Sequence, residues 1–299
     1  MPKSVAVRFE GVHCPLVTPF DGEHVDEDAL GNLVEYVLDG GVDGLVPTGT
    51  TGEFASLSDA EYQTVLETTI EHANGAPVMA GTADTSVAGT LSKIETAADL
   101  GADAALITLP YFHGSNDPTG DTTFIRRVAD ESTLPVYLYN LPSCVGRAIE
   151  TETLLDVADH DHVYGLKDSS GDFNAVSETL RRTPNSFQLF QGFDSHLVPS
   201  LLFGATGGIN ALSNVLPGAF AEAFEAVERG DVSVAREIHE NRIAPLFQQC
   251  IAHGFAPATK AALQARGVID NDDVRPPLTT LDSDARTNIA SVVDSVSNA

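Results

Sequence analysis

Eight short apolar runs, each followed by a Gly- or Pro-containing loop and then a longer segment of helical period, set the folding options of this chain. The runs occupy residues 12–18, 44–47, 78–81, 104–108, 136–140, 163–167, 187–192 and 207–210. Continuous apolar strands that alternate with helices bury both faces of a parallel sheet. Eight such units predict a closed (β/α)8 TIM barrel, with an open doubly wound sheet as the alternative. In segment 26–39, Leu30, Leu33, Val34, Val37 and Leu38 recur at i, i+3, i+4, i+7 and i+8, one apolar helix face. Ser58 and Glu61 are spaced as a capping box, and Gly40-Gly41 and Gly101 stand where helix C-caps belong. Segment 216–229 reads as the eighth helix. Beyond it, 232–266 and 282–296 keep the helical period without a further strand. The expected organisation is a barrel domain over 1–229 and a C-terminal helical domain over 230–299.

Charge narrows the function classes. The 299 residues carry 43 Asp and Glu against 16 Lys and Arg, a net charge of −27. A nucleic-acid binder that relies on a basic face is excluded, since polyphosphates need clustered Lys and Arg. An anionic membrane surface is disfavoured for the same reason. Such a balance suits a high-salt cytosol, where self-repulsion is screened. Cys14, Cys144 and Cys250 are far apart and odd in number, so no disulfide framework is expected. The first ten residues lack the apolar stretch of a signal peptide. No apolar run approaches the roughly 18 residues that span a bilayer. The expected compartment is the cytoplasm.

In a barrel of this kind, chemistry gathers at the C-terminal ends of the strands, where the βα loops converge. Lysine is the informative residue, because there are only four. Lys3 lies in the N-terminal tail, and Lys93 and Lys260 read as solvated helix residues. Lys167 closes the sixth strand, and such a strand delivers its amine into the barrel mouth. A desolvated amine is a nucleophile that condenses with a ketone to a Schiff base. Pairing with a carboxylate at the rim is the alternative. Gly49-Thr50-Thr51-Gly52-Glu53, after the second strand, suits a nest of N–H groups and hydroxyls around a small anion. It also fits an ordinary glycine turn. On the fifth strand Tyr137 and Tyr139 share a face. Tyr139, nearer the end, reads either as a proton shuttle beside Lys167 or as a core tyrosine. The nine histidines are scattered, no HExxH occurs, and no metal or other cofactor is expected. Neither a GxSxG elbow nor a phosphate-loop pattern is present.

Gly49-Thr50-Thr51-Gly52-Glu53, Tyr139-Asn140-Leu141-Pro142 and Gly165-Leu166-Lys167-Asp168, in this order, resemble the dihydrodipicolinate synthase / N-acetylneuraminate lyase superfamily of Schiff-base class I aldolases. Pro15-Leu16-Val17-Thr18-Pro19-Phe20, Ala80-Gly81-Thr82 and Gly207-Gly208-Ile209 extend the resemblance over nearly the whole chain. It implies a TIM barrel with a C-terminal helical domain, assembled as a homotetramer, acting on a 2-keto acid with a pyruvate unit. Lys167 would form the Schiff base, Tyr139 would relay protons and Thr50 would link that tyrosine to solvent. Thr51 would grip the pyruvate carboxylate, with Ile209 and Gly207 in the same site.

Two departures bear on the acceptor. Members that make dihydrodipicolinate carry an arginine where this chain has Cys144, and a second tyrosine where it has Phe112. On these grounds the sequence points to an aldolase cleaving 2-keto-3-deoxygluconate or its 6-phosphate to pyruvate and glyceraldehyde or its 3-phosphate. Arg147 would then meet a phosphate, with a solvated loop charge as the alternative, and Ser143 and His113 would meet sugar hydroxyls. Dihydrodipicolinate synthase, condensing pyruvate with aspartate semialdehyde, is the alternative. A non-catalytic 2-keto-acid binder is a third reading.

Overall fold

The chain was analysed as a computed structural model, in which residues 9–114 and 117–297 are described. Lys3 lies outside the described residues. Eight parallel strands form one sheet: β1 (Gly11–Cys14), β2 (Gly44–Leu45), β3 (Met79–Gly81), β4 (Ala104–Thr108), β5 (Val136–Asn140), β6 (Val163–Asp168), β7 (Gln188–Gln191) and β8 (Gly207–Ile209). Their spatial order is β2-β1-β8-β7-β6-β5-β4-β3. A single parallel bridge between Leu45 and Val78 joins the two ends of that order and closes the ring. The expected TIM barrel is therefore the observed fold, and the open sheet is not.

A helix follows each strand: α1 (Glu27–Asp39), α2 (Asp59–His72), α3 (Val87–Leu100), α4 (Pro118–Glu131), α5 (Thr151–Ala158), α6 (Phe173–Arg182), α7 (Leu197–Leu202) and α8 (Pro217–Glu228). Local chemistry sets several ends. Asp26 caps α1 by accepting from Ala29 N, and Ser58 and Glu61 complete the capping box of α2. Gly101 ends α3 in the left-handed conformation, at φ 104°. After α8 the chain adds α9 (Val232–Ile238), a π-helical turn, α10 (Ala244–His253), α11 (Phe255–Ala265) and α12 (Ser283–Ser297). The helical run expected over 232–266 is broken at Gly254, whose φ of 89° no helix accommodates.

Alternation along the strands sorts the core into layers. Inside the ring Phe9, Val46, Met79, Leu106, Tyr137, Tyr139, Phe190 and Ile209 form one apolar cluster. At the lower end the Tyr137 hydroxyl donates to Gln188 Oε1 at 2.5 Å, and the Gln188 amide donates to Phe9 O. The barrel is thus plugged below and open above. Outside it, the side chains of α1, α8 and β1 share one apolar cluster with Leu246, Phe247, Ala262, Ile289 and Val293 of the C-terminal helices. Those helices pack on the barrel wall near its mouth, a placement that matters for the site.

Candidate active site

Register along the sheet brings the chemistry together. Lys167 lies opposite Tyr139 on β5 and Phe190 on β7, so the amine and the phenol rise side by side. Both are buried, and the Lys167 Nζ sits 4.2 Å from the centroid of the Tyr139 ring. Among the described residues no hydrogen bond or ion pair holds that Nζ. The carboxylate next in sequence is committed elsewhere: Asp168 accepts from Asn140 Nδ2 at 2.7 Å and from the Ser170 hydroxyl and amide. Pairing at the rim is therefore not what this lysine does. Its amine faces a cavity of about 280 Å³ above the plug.

Thr50, Thr51, Tyr139, Ser143, Lys167 and Ile209 all line that cavity. Six of the nine site residues expected from sequence thus converge on one space. The loop carrying the two threonines is shaped differently from the expectation, however. Its left-handed residues are Thr48, at φ 54°, and Glu53, at φ 56°, rather than the glycines. Each such backbone costs about 1–3 kcal/mol and persists only where its surroundings enforce it. Thr48 Oγ1 donates to Gly81 O at 2.9 Å, Thr18 Oγ1 donates to Gly52 O at 2.7 Å, and Glu53 N donates to Thr50 O at 3.1 Å. Gly52 is needed for close approach, since a Cβ there would stand 2.8 Å from Leu16 O.

Three expected site residues, Arg147, His113 and Gly207, are elsewhere. Arg147 is held by Asp121, at 2.8 and 3.2 Å, and donates to Pro110 O at 3.0 Å. It borders a separate surface depression together with His113. Its positive charge is spent on a carboxylate 26 residues away in sequence, which no local pattern announces. Gly207 is a packing residue, because a Cβ there would stand 1.8 Å from Gly11 O across the β1–β8 pair. The solvated reading of two lysines is also corrected. Lys93 is half-buried between Ala83 O and Asp84, and Lys260 is wholly buried against Glu53.

Sequence reasoning missed several neighbours. Phe193, Ile251 and Phe255 complete the cavity wall, the last two from the C-terminal helices. Cys144, in the short turn Pro142–Val145, is exposed and borders the cavity where the resemblance implied an arginine. Asp194 is fully buried; its Oδ1 accepts from Leu212 N at 2.8 Å and its Oδ2 has no partner. Burial pushes its carboxyl up to about 6, with backbone N–H groups and the Lys167 charge opposing. The only sequence signal for it was its place three residues after β7. Burial likewise pushes the Cys14 thiol up to about 12, which makes it inert as a nucleophile.

A (β/α)8 barrel with an unpaired lysine in its mouth, beside a phenol and a threonine-bearing turn, has the architecture of a Schiff-base lyase. Comparison with known proteins makes the class specific. The model of the dihydrodipicolinate synthetase family matches residues 8–296, and the chain belongs to that family of pyruvate-dependent lyases. A 4-hydroxy-tetrahydrodipicolinate synthase of Exiguobacterium is 35% identical over 288 residues, covering 96% of this chain and 97% of its own. The synthase of Methanopyrus kandleri is 37% identical over 277 residues, 91% of each chain. Among solved structures, the dihydrodipicolinate synthase of Thermotoga maritima superposes with a TM-score of 0.93 at 28% identity, over 97% of this chain and 99% of that one.

These relatives overturn the sugar-acid aldolase expected from sequence. Their names are those of synthases, over nearly the full length of both chains. The expectation gave decisive weight to Cys144 and Phe112, single residues in the loops after β5 and β4. The phosphate contact that followed from that expectation also fails, because Arg147 is paired with Asp121.

Proposed function

We propose that this enzyme condenses pyruvate with aspartate semialdehyde to give 4-hydroxy-tetrahydrodipicolinate, through a Schiff base on Lys167. The observation that carries the reading is the buried Lys167 amine, free of any carboxylate and facing the cavity beside Tyr139. The names of the curated relatives support the choice of acceptor. The Lys167 amine adds to the C2 ketone of pyruvate and water leaves as the imine forms. Loss of a C3 proton gives the enamine, whose C3 attacks the aldehyde carbon. Tyr139, backed by Thr50, supplies the proton taken up by the aldehyde oxygen. The acceptor's own amine then displaces Lys167 from the imine carbon, closing the ring and freeing the enzyme. Thr51 and the neighbouring N–H groups hold the pyruvate carboxylate, with Ile209 and Ser143 in the wall.

Borohydride added with pyruvate fixes a covalent adduct on Lys167, and Lys167→Ala abolishes both the adduct and ring formation from the two substrates. An adduct on another residue, or full activity in that variant, refutes the assignment. An intact adduct without turnover of aspartate semialdehyde refutes the acceptor alone.

The coarser architecture carries further proposals. A homotetramer fits the resemblance, although one solved neighbour is described as a monomeric variant; sedimentation of the purified chain decides between them. No helix among the described residues is long and apolar enough to cross a membrane. A high-salt cytosol is supported by the net charge of −27, and requires that the melting temperature rise between 0.1 and 2 M salt, ~0.1 M corresponding to a Debye length of about 10 Å. The division into a barrel over 1–229 and a helical unit over 230–299 describes chain order; the two share one apolar cluster.

A further inference from the structure

Among the described residues two lysines are buried, Lys167 and Lys260, and the second lies far from the first in sequence and has a different setting. Lys260, on α11, is fully buried; its Nζ donates to Glu53 Oε1 at 2.5 Å and to Asp273 O at 2.7 Å. That Nζ also rests 4.1 Å above the Phe20 ring. The second carboxylate oxygen of Glu53 accepts from Arg275 N at 2.9 Å. Both oxygens of one carboxylate are therefore claimed by the C-terminal segment. Arg275 itself is anchored on the barrel, through Glu61, Ser56 O and Glu23 O.

Glu53 is the left-handed residue that closes the loop carrying Thr50 and Thr51, and its N–H returns to Thr50 O. A wholly buried ion pair is a poor device for stability, because well-packed apolar residues of equal volume serve as well or better. What it supplies is a fixed distance and direction between two segments. Here those segments are the anion-gripping turn and the helix that begins with Phe255 in the cavity wall. Burial pushes the Lys260 ammonium below its ordinary range, while the adjacent Glu53 charge opposes that shift.

We infer that Lys260 and Glu53 are positioning residues for pyruvate capture: the C-terminal helices, through this pair, hold the Thr50-Thr51 turn in the shape that grips the substrate carboxylate. The inference rests on the proposed pyruvate site. Neither residue touches the reacting atoms; both act through the turn.

The test titrates pyruvate against borohydride trapping of Lys167 in the full-length protein, together with thermal melting and the pyruvate KM and kcat. Glu53→Gln and Lys260→Met are each expected to raise the pyruvate concentration for half-maximal trapping at least tenfold. Trapping at saturating pyruvate stays complete, and KM rises by more than kcat falls. A purely structural pair would lower the melting temperature and leave half-saturation within twofold, which overturns the inference. If Lys260→Met does not fold, the doubly apolar Lys260→Met/Glu53→Met chain restores packing. Raised half-saturation in that folded double variant supports the inference, and wild-type half-saturation overturns it. Wild-type protein that traps no pyruvate overturns the proposed function, and this inference with it; wild-type trapping with unchanged variants overturns the inference alone.

Discussion

Replacing His13 by leucine should change how stability depends on pH, and the structure gives the size of the effect. His13 is buried on β1 inside the ring, its imidazole 5.2 Å from the Phe9 ring centroid and 5.4 Å from that of Phe190. Burial lowers its pKa from 6.5 to about 4, with the Glu10 backbone opposing a little. The unfolded chain therefore takes up a proton at this site near pH 6.5, and the native state resists until about pH 4. As pH falls through that window the unfolded state binds more protons, so native stability drops, by about 1.4 kcal/mol per unit of displacement. Between about pH 7.5 and pH 4.5 the loss from this group is roughly 2.5 kcal/mol. Asp194 works in the opposite sense: its carboxyl, raised from 3.8 to about 6, takes up a proton first in the native state and adds stability over much of the same range. The wild-type curve alone consequently understates the histidine. The measurement is denaturant unfolding of wild type and His13→Leu at several pH values, followed as the difference between them. That difference should move by about 2.5 kcal/mol in favour of the variant on going from about pH 7.5 to 4.5. A difference constant to within about 0.5 kcal/mol would show that the imidazole is not desolvated, and the reasoning would fail.

Gly207→Ala forces a Cβ to within 1.8 Å of Gly11 O, so denaturant unfolding should register a loss at or above the usual overpacking cost of about 1–3 kcal/mol; an unchanged midpoint contradicts the packing role. Tyr139→Phe should lower kcat by about 10²–10⁴-fold while pyruvate trapping on Lys167 persists, and near-normal turnover would remove the phenol from the mechanism. Cys144→Arg places a guanidinium at the cavity mouth and should raise kcat/KM for aspartate semialdehyde by about tenfold or more, leaving the pyruvate KM unchanged; no gain would mean that the acceptor carboxylate binds elsewhere.

What the sequence revealed and what it hid divide along sequence distance. The runs at 104–108 and 136–140 coincide with β4 and β5, because a strand buried on both faces needs an unbroken apolar stretch. The first run promised seven residues and yields Gly11–Cys14, since Pro15 and Pro19 take the chain out of the sheet. Lys167 and Tyr139 were placed by their strand ends, β6 and β5, and Thr50 and Thr51 by the Gly-Thr-Thr-Gly turn after β2; what each does came from the resemblance, since position alone left an alternative open for every one. Arg147, Lys260 and Gly207 were misread because each is explained by a partner that lies elsewhere in the chain: Asp121, Glu53 and Gly11. Periodicity carries no information about such partners. The same holds for Ile251 and Phe255, which become wall residues only because the last helices fold back over the barrel mouth.

The hoop of strands is fastened between β2 and β3 by the bridge from Leu45 to Val78 and, beyond it, by Gly81 N donating to Pro47 O at 3.0 Å. The turn bearing Thr50 and Thr51 hangs from that clasp, and the Thr48 hydroxyl reaches across it to Gly81. On the proposed function, pyruvate seated in that turn binds only the closed ring, so its binding free energy adds to the stability of this seam.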